Sequence, residues 1–322
     1  MDLEDKKVVA IGGAGLIGSH LVDLLVLEEI SEIVVFDNFY RGSMENLQSA
    51  VKDSRVKVIE GDIKNLKELK KILKGKDFVF HFAASWLLEC IENPGEAVEN
   101  NIMGTYNLIE ACIDAKIKKV IFSSSASVYG NAVEVPMTES HPYNNRTLYG
   151  ATKIAGEHLF RAFYEMYGLN YVGLRYMNVY GPRQDYKGAY VVVIMKILDR
   201  IDNGLPPIIY GDGSQCYDFV FVNDVARANI LALKADVTDD FFNIGTGQGT
   251  TIKELTGLLL DLTDSTLKPQ YEPQGQTFVT NRIGSTAKAA DLLGFRAKTE
   301  LKDGLKKLIE WRKGHKKRND QL

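Results

Sequence analysis

The sequence predicts an α/β fold, a doubly wound parallel sheet with a smaller α/β domain interleaved with it. Three observations carry this. Short apolar runs alternate with helix-period segments through roughly the first half of the chain. Those runs are apolar on both faces, as strands covered by helices on both sides must be. After Asn178 glycine and proline become frequent, and shorter strands and helices follow.

The elements read in order. "KKVVAIGGAG" is a buried strand ending in glycines, and "LIGSHLVDLLVLEE" follows with helical spacing of Leu, Ile and Val. "EIVVFD" and "VKVIEGD" are the second and third strands. "LKELKKILKG" is an amphipathic helix closed by Gly75, and "DFVFHFAA" is the fourth strand. "GEAVENNIMGTYNLIEACIDA" reads as one long helix and "KKVIFSSS" as the fifth strand. A helix from about Thr147 to Tyr167 and the strand "NYVGLRY" extend the pattern. Further on, "TTIKELTGLLLDL" opens with a capping box, Thr251 to Glu254.

Bulk composition narrows the function classes. The 322 residues are 45% hydrophobic and 25% charged, with net charge -3, so no basic field points to nucleic acid. Cys90, Cys112 and Cys216 form no CxxC pair, which argues against a disulfide framework or a zinc site and for a reducing compartment. No metal site is expected. No apolar run reaches the roughly 18 residues of a membrane span, and the N-terminus lacks the pattern of a signal peptide. A cytoplasmic protein is the expectation. The basic stretch "RKGHKKRND" reads as a solvated, frayed end.

"IGGAGLIG" places Gly12, Gly15 and Gly18 between the first strand and first helix, with Leu16 and Ile17 inside the turn. Such a turn lets the backbone approach a pyrophosphate at a helix N-terminus. Asp37 ends the second strand 19 residues after Gly18. An acid there accepts hydrogen bonds from a ribose diol and repels a 2′-phosphate, which favours NAD over NADP. Arg41 lies close by.

The spacing is GxxGxxG. Together with "FDNFYRGSMENL", "GDI" at 61 to 63, "HFAA" at 81 to 84, "NIMGTYNLIEA", "FSSSASVYG", "YGATK", "LRYMNVYGPRQ" and "GDGSQ", it resembles the extended branch of the short-chain dehydrogenase/reductase superfamily, the nucleotide-sugar epimerases and dehydratases. The resemblance spans nearly the whole chain. It implies a Rossmann-type NAD-binding domain over 1–177, completed by about 218–247, and a substrate-binding domain from 178–217 and 248–322. In the cofactor groove it implies Gly12, Gly15, Leu16, Ile17 and Gly18, then Asp37, Asn38, Arg41 and Gly42. Asp62 and Ile63 would lie against the adenine, although Asp62 by itself reads as a turn acid. Phe82, Ala83 and Ala84 would line the groove, and Asn101 would stand behind the nicotinamide end. Ser123, Tyr149, Lys153 and Met177 complete the implied set.

Tyr149 and Lys153, at i and i+4, share one helix face. A tyrosine near pKa 10 needs a neighbouring positive charge to act as a base at neutral pH. Ser125, at the end of the fifth strand and five positions before Gly130, holds the family's catalytic serine place, with Ser123 and Ser124 as structural partners. The implied reaction is C4 epimerisation of a nucleotide-diphosphate hexose through a transient 4-keto intermediate, with NAD held and regenerated. Substrate contacts implied by the resemblance are Ser125, Tyr149, Asn178, Tyr217 and Arg282, with Arg183 as a helper. Tyr217 stands where the family has an arginine that grips the diphosphate. Trp86 is equally readable as a stacking platform or a packed aromatic, and Tyr190 in the cleft loop takes no assigned role. Dehydrating relatives carry an Asp-Glu pair after the catalytic serine, where this chain has Ala126 and Ser127. A 4-ketoreductase, a dehydratase or a non-catalytic NAD-binding member remain as alternatives. A homodimer built on the helices 96–115 and 147–167 is also implied.

Overall fold

The computed structural model describes residues 2–184, 193–273 and 279–319. Tyr190 lies outside them. From the N-terminus, β1 (Lys7–Ile11) leads through the glycine turn into α1 (Leu16–Leu25), β2 (Glu32–Asp37), β3 (Val56–Glu60), α2 (Leu66–Leu73) and β4 (Phe78–His81). The helices α3 (Leu87–Glu92), α4 (Pro94–Val98) and α5 (Gly104–Asp114) bring the chain to β5 (Lys119–Ser125), and α6 (Leu148–Tyr167) brings it to β6 (Tyr171–Tyr176). Next come β7 (Asn178–Tyr180), α7 (Val193–Asp202), β8 (Ile208–Tyr210), β9 (Cys216–Tyr217), β10 (Phe219–Phe221), α8 (Val222–Lys234) and β11 (Asp240–Ile244). The chain finishes with β12 (Thr250–Thr251), α9 (Ile252–Leu262), β13 (Gln270–Glu272), β14 (Asn281–Arg282), α10 (Ala287–Leu293) and α11 (Leu301–Asn319).

Among the described residues, seven strands form one parallel sheet in the order β11-β6-β5-β4-β1-β2-β3. The order reverses between β1 and β4, so their C-terminal ends part and open a crevice. Side chains alternate across the sheet. Val9, Ile11, Val34, Phe36, Val79 and Phe122 pack with α2, α5 and α6. Val8, Ala10, Ile33, Val35, Phe80 and Ile121 pack with α1 and α8. A third cluster joins Tyr180, Phe219 and Phe221 to α7, α9 and α11 and forms the smaller lobe. Each layer hides apolar surface that would otherwise face water, at about 25 cal/mol per Å².

Two stretches differ from the sequence reading. The long helix expected at 95–115 is interrupted by a π turn at Glu99–Met103. The extra residue of such a turn re-aims side chains, and Asn101, within it, is only 4% exposed. The basic tail is helical through Asn319 rather than frayed from Arg312. Arg312 is buried, with Nε on Asp202 and Nη2 on Asp199, each at 2.9 Å. The apolar positions Leu305, Leu308 and Ile309 dock the preceding turns and carry Arg312 onto α7.

The capping box forms as read: Thr251 Oγ1 accepts the Glu254 N–H at 3.1 Å and Glu254 Oε2 accepts the Thr251 N–H at 2.8 Å. Thr251→Ala is expected to lower stability by about 1 kcal/mol, read as a lower denaturant midpoint with an unchanged slope. No helix among the described residues is long and apolar enough to cross a membrane.

Candidate active site

A single cleft of about 1430 Å³ opens beyond the C-terminal ends of the strands. Ordinary ligand pockets hold about 300–1,000 Å³, so this one has room for a cofactor and a substrate together.

The glycine turn forms one wall. Gly12 sits at φ +76°, and a Cβ there would come 2.6 Å from Ala83 N, so the turn requires glycine. A Cβ on Gly18 would come 2.5 Å from Gly12 O, which is what lets α1 pack down on the turn. Gly15, by contrast, faces open space, with its nearest atom, Gly12 O, 3.5 Å from an added Cβ. It N-caps α1 with no side-chain bond and no acid in the first turn. The helix start is thus left bare for an anion. At the end of β2, Asp37 is 7% exposed, with Oδ2 accepting the Ala14 N–H and Oδ1 the Phe39 N–H, both at 2.9 Å. Burial raises its pKa against these two bonds. One oxygen lone pair on each side remains for a diol. These features fit a pyrophosphate at the turn and a ribose at Asp37.

Leu16, Ile17, Asn38, Arg41, Gly42, Ile63, Phe82, Ala83, Ala84 and Met177 also line the cleft. The Arg41 guanidinium lies 4.5 Å over the Trp86 ring, so Trp86 is an aromatic partner inside the cleft. Asp62 does not line it. Its Oδ1 accepts the Lys64 N–H at 2.8 Å, and its Oδ2 is 3.5 Å from Asn38 Nδ2, the pattern of a turn acid. Gly18, Asn101, Ser123 and Lys153 likewise stand behind the wall, not on it.

At the far end, Ser125 ends β5 and Tyr149 occupies the first turn of α6, which Thr147 caps by accepting the Gly150 N–H at 3.1 Å. Both line the cleft. Ser125 Oγ donates to Ser127 Oγ and accepts the Ser127 N–H, each at 3.1 Å. Lys153 Nζ donates to the Ser123 carbonyl at 2.8 Å and lies 5.8 Å from the Tyr149 ring centre. Asn101 accepts the Ser85 N–H at 2.6 Å and donates to Thr152 at 3.0 Å, tying the loop after β4 to α6. Ser123 and Ser124 are structural, as read: Ser123 Oγ meets Tyr176 OH at 3.1 Å and Ser124 donates to Glu157 at 2.5 Å.

Burial dominates the electrostatics of the pair. Burial pushes the Tyr149 phenol up to about 12, against a Ser125 hydrogen bond and the charges of Arg282 and Arg41 that pull it down. Burial also pushes Lys153 down to about 8, with Glu157 among the groups raising it. In a dry pocket the loss of hydration outweighs one cation held on a neighbouring carbonyl.

Asn178, Tyr217 and Arg282 line the other lobe of the cleft. Asn178 Nδ2 donates to Asp218 O at 3.2 Å. The Tyr217 hydroxyl donates to Val279 O at 2.9 Å, so its one donor is already engaged. Arg282 pairs with Tyr217 across β9 and β14, and its Nε is buried without a hydrogen-bond partner. Burial lowers its pKa, the mark of a guanidinium short of anions. Arg183, expected as a helper, is held by Asp23 of α1 at 2.6 Å. One cleft residue has no motif behind it. Glu89, on α3, is 7% exposed and lines the cleft. The only sequence signal is an acid inside the apolar run "WLLEC".

Comparison with known proteins agrees with this geometry. A UDP-N-acetylglucosamine 4-epimerase from Methanobrevibacter ruminantium, solved with UDP-N-acetylmuramic acid, superposes with a TM-score of 0.92 at 36% identity, over 97% of this chain and 99% of that one. A UDP-glucose 4-epimerase from Thermotoga maritima, solved with UDP-glucose, gives 0.90 at 36% identity, over 96% and 99%. The UDP-glucose 4-epimerase of Halalkalibacterium halodurans is 32% identical over 327 residues, 96% of each chain. The model of the NAD dependent epimerase/dehydratase family matches residues 8–245, from β1 through β11. That span holds the glycine turn, Asp37, Ser125, Tyr149 and Lys153, and the chain belongs to this family.

Proposed function

We propose that this protein is an NAD-dependent nucleotide-sugar epimerase that inverts C4 of a UDP-hexose through a transient 4-keto sugar. One observation carries the reading: Ser125 and Tyr149 share a single cleft with the bare α1 start and Asp37 on one side and the unpartnered Arg282 on the other. The UDP-sugar complexes of the two solved relatives support UDP as the nucleotide.

The bare start of α1 at Leu16 and Ile17 would offer backbone N–H groups to the pyrophosphate of NAD, with Gly12 and Gly15 shaping the turn, and Asp37 would take the ribose diol. Bound NAD supplies the hydride acceptor and later donor at the sugar carbon. Tyr149 takes the proton of the sugar hydroxyl and afterwards returns it, while Ser125 hydrogen-bonds the same oxygen. Lys153, fixed on the Ser123 carbonyl, keeps a positive charge behind the phenol. Arg282 supplies the cation for the diphosphate that Tyr217 cannot. Residues 1–177 with 218–247 hold the cofactor in this reading, and the remainder holds the substrate. A homodimer fits it too, since Val98, Met103, Met166 and Tyr167 leave apolar surface exposed on the pairing helices. A cytoplasmic location accords with three free thiols.

Dehydration is disfavoured because Ala126 and Ser127 put no carboxyl beside Ser125. The test incubates the NAD-loaded protein with UDP-, GDP-, CDP- and dTDP-hexoses and separates the epimers. A 4-keto-6-deoxy product, or stoichiometric consumption of reduced cofactor, overturns the reading. Arg282→Ala is expected to weaken UDP-glucose binding by about 10–100-fold, the worth of a charge-assisted hydrogen bond or two. Calorimetry checks this, and a Kd within threefold of wild type removes Arg282 from the diphosphate site.

A further inference from the structure

Glu89 is 7% exposed, and its carboxylate makes no hydrogen bond or ion pair among the described residues; its oxygens are not among the fully buried unpartnered atoms, so they face the open cleft. The pairing is missing inside a ligand cleft. The residue's place along the cleft is also defined. α3 follows the loop that lines the cleft after β4 and packs against α6, the helix of Tyr149. The next residue, Cys90, has its Sγ 3.6 Å from Ser85 O and 3.9 Å from Asn101 Nδ2. Asn101 in turn holds Thr152, three positions from Tyr149. Glu89 therefore belongs to the reacting end of the cleft and not to the Asp37 end.

We propose that Glu89 selects the substrate class: its carboxylate accepts hydrogen bonds from the hydroxyls of an uncharged hexose and repels a sugar that carries a carboxylate of its own. This rests on the nucleotide-sugar reading of the same cleft. A carboxylate is an acceptor only. A neutral hexose brings several O–H donors and completes the missing pairing on binding. A uronate sugar brings a second negative group beside this carboxylate, and like charges repel.

The experiment measures Kd by calorimetry for UDP-glucose and UDP-glucuronate on NAD-loaded wild type and Glu89→Gln. Wild type is expected to prefer UDP-glucose by about 100-fold, the scale of a like-charge contact. Glu89→Gln keeps the size but adds a donor. It should narrow the preference below about tenfold, mainly by tightening UDP-glucuronate. A general distortion of the cleft would weaken both ligands and leave the ratio where it was. An unchanged ratio, equal wild-type affinity for the two sugars, or no binding of either overturns the proposal. Epimer separation on the same samples keeps the two ideas apart. Epimers with an unmoved ratio sink the role of Glu89 alone, while a moved ratio without epimers sinks the epimerase reading alone.

Discussion

Tyr149→Phe is expected to lower kcat by about 10³-fold while NAD stays bound, within the 10²–10⁴ range of a lost general base. Phenylalanine keeps the ring and the contacts of the first α6 turn. It removes only the hydroxyl that faces Ser125. No other residue of the described cleft offers a phenol at that place, since the hydroxyls of Tyr176 and Tyr217 are engaged with Asn229 and Val279. The pH profile carries the same argument. With its phenol pushed up to about 12 by burial, Tyr149 holds its proton through the neutral range, so the rate climbs with pH on the acid side. Lys153, pushed down to about 8, loses its charge as pH rises through that value, which offsets the further gain in phenolate, so the rise levels off there. Turnover is followed by separating the epimers, and retained cofactor by absorbance of the extracted NAD. Tyr149→Phe turnover within tenfold of wild type would rule out Tyr149 as the base.

What could be read from the sequence was local. The strand–glycine turn–helix unit, Asp37, the strand ends and the i, i+4 pair all lie within one or two elements, so period and turn chemistry report them directly. The misread parts depend on contacts between distant segments. Tyr217 reads as available, but the segment just before β14 supplies Val279 O, 62 residues away. Arg183 lines the cleft as expected of a diphosphate helper, but sequence could not show that Asp23 of α1, 160 residues off, holds its Nη2. The basic tail looked solvated because its pattern does not reveal that two acids on α7 receive Arg312. Glu89 was passed over for a related reason. An acid near "CIENPGE" resembles a charged helix surface, and only the packing of α3 on α6 buries it. Burial of Tyr149 could not be read either, because spacing reports a nearby charge but not the depth of the pocket.

The second large effect is structural and lies directly behind the site. Arg175→Met is expected to cost about 3–5 kcal/mol of stability, the penalty for leaving a buried charge unpaired. Arg175 and Glu157 are 3% and 2% exposed. Two guanidinium nitrogens reach Glu157 at 2.9 and 2.7 Å, and Nη1 also serves Tyr129 OH at 2.8 Å and Glu139 O at 2.9 Å. Methionine fills much of the arginine volume, so a cavity adds little; the loss comes from Glu157, left with only Ser124 and Tyr143 as donors. The double variant Arg175→Met with Glu157→Leu removes both charges and should recover a good part of the loss, because two apolar side chains replace a pair that repays little beyond its own desolvation. Urea denaturation measures both, and a single variant within 1 kcal/mol of wild type would show that Glu157 finds another partner. The single variant should also slow the folded enzyme. Ser124 stays bonded to Glu157 and stands between Ser123, whose carbonyl holds Lys153, and Ser125, so a Glu157 that shifts once its arginine is gone displaces both arms of the site.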